Sequence, residues 1–308
     1  FNILQTHSTG YSAYTVLFIN ICGKREGKMN IFDDRIYIFG DDSRQLALFN
    51  LFLEKGYNAA YSTDCFSNDN KKIKYSHHFS EDNLCTGTDF LIFPIPLKKR
   101  SIDNLFPFAH KNNYIIGGLF DKELTAFCNR NNICYYDLYL SKNFVTSNAK
   151  ITAEGAIFCA MQNSTKTIAG SKSLVIGYGN CGCKIAGMLK CMNSEVHVIE
   201  PAKKTYIGRN IRLYKNITEV RNIHRFDFIF NTAPQKSLVD GILCRLKKNA
   251  TIIDIASAPG GTDFDYCKKY GICAKLCPGI PGHYAPDTAA RIIFNEIVNL
   301  KSPANKCQ

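Results

Sequence analysis

The chain has 308 residues, with 38 Lys and Arg against 26 Asp and Glu for a formal charge of +12, and 45% of it is hydrophobic. At roughly 100–200 residues per domain this length suggests about two domains, and a composition near the globular average excludes a disordered or collagen-like chain. No apolar run approaches the roughly 18–20 residues of a membrane span, and the basic residues are scattered, with Lys98-Lys99-Arg100 the longest run, so diffuse surface charge is expected rather than a nucleic-acid patch.

The first methionine is Met29. The residues before it lack the basic region that precedes the apolar core of a signal peptide. Gly23-Lys-Arg-Glu-Gly-Lys28 can be encoded by a purine-rich run resembling a bacterial ribosome-binding site, so residues 1–28 are expected to be a translated upstream leader and Met29 the natural start.

From Arg35 the pattern becomes regular. Strands are expected at Arg35–Phe39, Asn58–Tyr61, Asp89–Phe93, Tyr114–Ile116 and Ile133–Tyr136, with helices over Gln45–Lys55 and Lys122–Arg130. Gly40-Asp-Asp-Ser43 reads as a turn and helix cap. Ser67–Lys74 reads as a solvated loop, and His77-His78 lies in a polar stretch. Around Ser141–Lys150 the pattern lapses, and a helix opens at Thr152-Ala-Glu-Gly-Ala-Ile157. The expected domains are therefore 29–150 and 151–301. The second half repeats the alternation at Ser173–Ile176, Glu195–Ile199, Phe226–Phe230, Thr251–Ile255 and Ile272–Lys275, and ends in a helix over about Thr288–Leu300. Strands alternating with helices predict an α/β fold of mainly parallel sheets.

Fourteen cysteines are spread along the chain without a CxxC. Cys181-x-Cys183 and Cys273-xxx-Cys277 come nearest to ligand spacing, but zinc is usually held by paired short spacings, so no metal site is expected. Reduced cysteines acting as small hydrophobes in a cytoplasmic protein are the simpler reading.

Leu174-Val-Ile-Gly177-Tyr178-Gly179-Asn180-Cys181-Gly182 places GxGxxG directly after an apolar strand. A helix follows, with Ile185, Met188, Leu189 and Met192 on one face, and a second strand ends at Glu200. This context is that of a dinucleotide-binding βαβ unit: Gly177 for the tight turn, Gly179 for approach to a pyrophosphate, Gly182 for helix–strand packing, and the helix N-terminus for the phosphate charge. Glu200 stands near the roughly 20-residue offset of an acid that binds the ribose of NAD. Lys203 and Lys204 follow it and suit a 2′-phosphate, so NAD and NADP both stay open, as does a solvated strand-end role for Glu200. Two later loops, Asn231-Thr232-Ala233-Pro234 and Asp254–Asp263, fall after strands, where the ligand crevice of an open α/β sheet lies.

With those loops in view, the chain resembles the dipicolinate synthase A-subunit family of spore-forming bacteria. The resemblance rests on Gly40-Asp-Asp-Ser-Arg44-Gln45, Thr152-Ala-Glu154-Gly155, the Gly177–Gly182 loop, Asn231–Pro234, Asp254-Ile-Ala-Ser257-Ala-Pro-Gly-Gly-Thr-Asp263, and Pro278-Gly-Ile-Pro-Gly282 followed by Ala285-Pro-Asp-Thr-Ala289. It implies a C-terminal Rossmann-type domain and a smaller N-terminal Rossmann or flavodoxin-like domain. It further implies oxidation of a dihydrodipicolinate to pyridine-2,6-dicarboxylate with NAD or NADP, partnership with a flavoprotein-like B subunit, an oligomer, and the cytoplasm of a sporulating mother cell. The chain departs from the family pattern at Ala258, where a basic residue is common, at Ile199-Glu200-Pro201, where Gly-Ala-Arg is common, and at His283-Tyr284.

Aromatising a dihydropyridine needs a hydride acceptor, a base, and donors for two carboxylates. Arg44 is a candidate carboxylate clamp, with pairing to Asp41 or Asp42 at the surface as the other reading. Ser257 and the Gly260-Gly261 amides are candidates for the second carboxylate, with a plain Gly turn as the other reading. Glu154 is a candidate positioning group or simply an acid near a helix start. For the base the choices are weak: His283, after Pro281-Gly282, is a candidate because histidine suits neutral proton transfer, although a lone loop histidine is more often incidental. Two other readings remain: a 2-hydroxyacid-dehydrogenase-like oxidoreductase, and a nucleotide-binding assembly or regulatory subunit whose partner carries the chemistry.

Overall fold

Short apolar strands alternate with helices throughout a computed structural model of the protein, which describes residues 35–62, 89–97, 113–202 and 211–300. The 1–28 leader and Met29, Ser67–Lys74, His77-His78, Lys98–Arg100 and Lys203-Lys204 lie outside the described residues. The chain divides into one unit of the residues up to Leu140 together with those from Phe294, and a second of Ser141–Ile293.

The first unit is built from β1 (Arg35–Phe39), α1 (Ser43–Glu54), β2 (Asn58–Ser62), β3 (Asp89–Ile92), β4 (Tyr114–Gly117), α2 (Lys122–Arg130) and β5 (Cys134–Asp137). Its five strands are parallel in the order β2-β1-β3-β4-β5, the flavodoxin-like arrangement. Asp121 caps α2 by accepting from Leu124 N–H at 2.7 Å. Leu124 and Cys128 then lie on Tyr37, Phe39, Leu91 and Ile115 of the sheet. Phe52 of α1 is fully buried and meets Tyr57 and Phe294 at ring-centroid distances of 5.4 and 4.9 Å.

The second unit contains α3 (Lys142–Gln162), β6 (Lys172–Ile176), α4 (Asn180–Cys191), β7 (Glu195–Ile199), β8 (Arg212–Tyr214), β9 (Phe228–Asn231), α5 (Asp240–Leu243), β10 (Thr251–Asp254), α6 (Phe264–Tyr270), β11 (Cys273–Leu276) and α7 (Ile280–Tyr284). The final helix, α8 (Pro286–Leu300), carries the chain from the second unit back to the first. The six strands are parallel in the order β11-β10-β9-β6-β7-β8. Counted from β6 as the first strand this is the 3-2-1-4-5-6 order of the Rossmann fold, with its switch point between β6 and β9. Successive side chains leave opposite faces of a strand. Thus Val175, Val198, Phe230 and Ile253 join Ala153, Ala156 and Ile157 of α3 and Ile185 and Leu189 of α4 in one core layer. Leu174, Ile176, Ile229 and Ile252 face the other layer, with Leu238, Leu243 and Cys267.

Several elements differ from their sequence-based expectation. Helix α3 begins at Lys142, so the polar stretch where the pattern lapses is its first turns. Ser141 caps it by accepting from Phe144 N–H at 3.1 Å, and Phe144 and Ala149 are buried. Packing of one face overrides the weak helix propensity of Asn, Thr and Ser there. β9 starts at Phe228 rather than Phe226, because Phe226 closes a 3-10 turn over Ile223–Arg225. β8 is a strand of three residues, too short to show a period. Among the described residues, no helix is long and apolar enough to cross a membrane.

Candidate functional site

The glycine loop leaves β6 at the switch point of the six-stranded sheet. Gly177 has φ +91°, and a Cβ there would stand 2.5 Å from Thr232 Oγ1. Gly182 is the first-turn residue whose Cβ would overlap the Gly177 carbonyl oxygen, which holds α4 tight against the loop. Gly179 is the N-cap of α4, with no side chain capping the helix and open space where its Cβ would be. Amides at the start of a 12-residue helix that no described side chain caps are what a pyrophosphate needs. Asn180 beside it is exposed, whereas Cys181 and Tyr178 are half-buried. The Cys181 thiol is pushed up by burial and carries a hydrogen bond with Thr152 of α3.

Glu200 follows β7 and serves the loop directly. One carboxylate oxygen accepts from Tyr178 N–H at 2.8 Å and the other from Ala202 N–H at 3.0 Å. The loop after β9 is tied in as well. Thr232 donates both its N–H and its hydroxyl to Ile176 O at 2.9 Å. Asn231 is fully buried and turns its side chain onto Ala233, donating to its carbonyl at 3.0 Å and accepting from its N–H at 3.3 Å. Ala233 and Pro234 form the outer part of that loop, Pro234 exposed.

The Asp254–Asp263 loop is organised by Asp254, which the sequence reading did not single out. Its carboxylate is fully buried and accepts from Ala256 N–H at 3.0 Å, Gly261 N–H at 2.9 Å and the Thr262 hydroxyl at 2.7 Å. An acid closing the apolar run Thr251–Ile253 immediately before a Gly-rich loop was the available signal. The expectation that the Gly260-Gly261 amides bind a carboxylate is corrected: Gly260 N–H is given to Ser257 O at 2.9 Å and Gly261 N–H to Asp254. Ser257 stands exposed at the tip of this loop.

In the first unit the corresponding switch point lies between β1 and β3. Asp42 there caps α1 through Arg44 N–H at 2.8 Å and pairs with Arg44 Nη2 at 2.6 Å. Arg44 is not a surface residue, being only 4% exposed, and among the described residues its Nε has no hydrogen-bond partner. The Oε1 of the neighbouring Gln45, 1% exposed, likewise has none among them. A buried polar atom without a partner costs about 1–3 kcal/mol, and among the described residues Arg44 and Gln45 carry two such atoms side by side at this switch point. In the sequence Gln45 stands out only as part of the Gly40–Gln45 motif, because nothing local to the chain marks its side chain as buried.

Two other candidates stand differently from expectation. Glu154 is exposed in the middle of α3, so it caps no helix start. His283 lies exposed in the short helix α7 rather than in a loop. The motif that contains Glu154 has a packing role: a Cβ on Gly155 would overlap Ile280 Cγ2 and come within 3.0 Å of the Tyr284 ring. Thr152–Gly155 and Pro278–Gly282, far apart in the chain, are thereby the two sides of one α3–α7 contact.

No protein-family model matches the chain. Among curated proteins, the dipicolinate synthase A subunit of Bacillus subtilis is 35% identical over 158 residues, which are 50% of this chain and 52% of that protein; the match spans about half the length of the relative. Among solved structures, the dipicolinate synthase A subunit from Bacillus halodurans superposes with a TM-score of 0.70 at 24% identity, covering 88% of this chain and 99% of that one. The corresponding dipicolinate synthase structure from Bacillus subtilis gives 0.66 at 25% identity, covering 86% and 95%. As its motifs led one to expect, the chain is similar to the dipicolinate synthase A subunit, in sequence over half its length and in fold over most of it.

Proposed function

We propose that the chain is an oxidoreductase of the dipicolinate synthase A type, oxidising a dihydrodipicolinate to pyridine-2,6-dicarboxylate with NAD or NADP, in the mother cell of a sporulating bacterium and with a flavoprotein-like B subunit. The observation that carries this reading is the uncapped, open N-terminus of α4 at Gly179, placed at the switch point of a Rossmann-ordered sheet. The residues present fit a dinucleotide: Gly177–Gly182 cradle the pyrophosphate, Glu200 lies at the end of β7 toward the ribose, and Asn231–Pro234 line the crevice beyond it.

When bound, the oxidised nicotinamide supplies the hydride acceptor, and the ring substrate also loses one proton as it becomes aromatic. The protein's own task is to bind and orient. Arg44 of the first unit, whose buried Nε has no hydrogen-bond partner among the described residues, is the candidate group for a carboxylate. Within the second unit, Ser257 at the exposed tip of the Asp254 loop is a candidate hydroxyl donor, Glu154 a candidate positioning group and His283 the candidate proton acceptor.

The test mixes the purified chain, with and without the B subunit, with enzymatically generated dihydrodipicolinate and NAD or NADP, and follows the absorbance of the pyridine dicarboxylate. Cofactor-dependent product is expected. Its absence from every mixture refutes the reading, and product only when both chains are present assigns the reaction to the complex.

A further inference from the structure

A concavity of the Rossmann unit, of about 260 Å³, lies at the opposite end of the strands from the glycine loop, where Lys172 and Glu195 begin β6 and β7. Its aromatic wall is His197, Tyr214 and Phe226. The His197 ring is 6% exposed and held rigidly: Nε2 meets Glu195 Oε1 at 2.9 Å and Nδ1 meets the Tyr214 hydroxyl at 3.2 Å. Tyr214 stacks on it at 5.8 Å, and Phe226 presents an edge at 4.9 Å.

The charges around this wall do not balance locally. Glu195 is taken by Lys172 at 2.6 Å and by His197, which hold its carboxyl down at about 2. Glu219 accepts from Lys215 N–H at 2.9 Å and from the Asn216 amide at 3.0 Å. Both lining carboxylates are thus already engaged. Arg212, Arg221 and Arg225 also line the cavity, and among the described residues no carboxylate pairs with any of them. Their placement is built: backbone bonds Arg221 N–H to Glu219 O and Arg225 N–H to Asn222 O, both 3.0 Å, close the turns, and Arg245 pins the segment through Val220 O and Arg221 O.

We propose that this cavity binds a small polyanion carrying two or more phosphate or carboxylate groups, through Arg212, Arg221 and Arg225. Guanidinium forks match such oxyanions bidentately. A volume below the roughly 300–1,000 Å³ of drug-sized sites restricts the ligand to a compact one. The proposal needs neither the cofactor nor the reaction assigned above, so each stands or falls by its own assay.

The experiment is isothermal titration of the full chain with pyrophosphate and, separately, with citrate. Three proteins are compared: the unmodified chain, the Arg221→Gln/Arg225→Gln double variant, and Gly179→Asp, which closes the glycine loop to anions. A saturable component is expected for at least one anion that is weakened at least tenfold in the double variant and persists in Gly179→Asp, which removes only binding at the glycine loop. Binding of pyrophosphate alone assigns a phosphate ligand, and of citrate alone a carboxylate one. The exposed arginines can be replaced without disturbing the core, and an unchanged melting temperature of the double variant checks this. No saturable binding of either anion, or binding that is lost in Gly179→Asp and kept in the double variant, overturns the proposal.

Discussion

Replacing Gly179 by Asp separates the two jobs that glycines do in the β6–α4 loop. The residue sits at an N-cap with φ −76° and ψ −160°, extended backbone that any residue adopts, and a Cβ there meets nothing within 4 Å. Aspartate is among the better N-caps, worth a few tenths of a kcal/mol over glycine, with about 0.3–1 kcal/mol more from the helix dipole. At roughly 2–4 °C per kcal/mol for a unit of this size, the melting temperature should stay level or rise by about 1–5 °C. The same carboxylate occupies the amides that a pyrophosphate would use, and hydrogen bonds to charged groups are worth about 1.5–3 kcal/mol, so the Kd for NADH should rise about ten- to a hundredfold. Gly182→Ala is the contrast. Its Cβ would overlap the Gly177 carbonyl oxygen and stand 3.2 Å from Thr232 Oγ1, so backbone must move. Overpacking of this kind costs about 1–3 kcal/mol, or about 2–12 °C. Scanning calorimetry and fluorescence titration with NADH read both effects. A Gly179→Asp protein that binds NADH normally, or that melts as low as Gly182→Ala, refutes the assignment of roles.

Three further outcomes are expected. Asp254→Asn puts an amide where three donors converge, leaving at least one of them unsatisfied in a fully buried site; a loss of about 1–3 kcal/mol in urea unfolding should result, and an unchanged midpoint would contradict the role given to this carboxylate. Burial pushes the Asp227 carboxyl up, but hydrogen bonds from Lys166, Lys172 N–H and Lys247 outweigh it and hold it at about 2, against an ordinary 3.8; its stabilisation is therefore complete above the ordinary value and lost as pH falls from about 4 toward 2, on the order of 2 kcal/mol, and Asp227→Asn should flatten that part of the stability–pH curve. Gly155→Ala, favourable by about 1 kcal/mol in an open helix, should instead lower the melting temperature because the Cβ meets Ile280 and Tyr284, and a rise would show that the α3–α7 contact is looser than it stands.

Most strands carry their own local record. Arg35–Phe39 and Glu195–Ile199 are short apolar or alternating runs ended by turn residues, and they are strands over those bounds. GxGxxG after such a run is likewise a local statement, since φ +91° at Gly177 and the crowding at Gly182 are demands of one turn. The first turns of α3 left no such record, because Phe144 and Ala149 are buried by a face that only packing supplies.

Strand order is a different kind of property. Nothing in β6 says that its neighbours are β7 and β9, so the placing of the glycine loop and Asn231–Pro234 at one switch point had to come from pairing across the sheet. Arg44 shows the same limit at a single residue. Its pairing with Asp42 was legible from a spacing of two, whereas its burial and its unpartnered Nε depend on what the sheet closes over it. Composition and motif spacing thus carried the α/β class and the turn at Gly177, which rest on contacts between near neighbours. Which polar groups are buried, which amides are already spent, and where unbalanced charge collects were settled by the fold, because desolvation is set by residues distant in the chain.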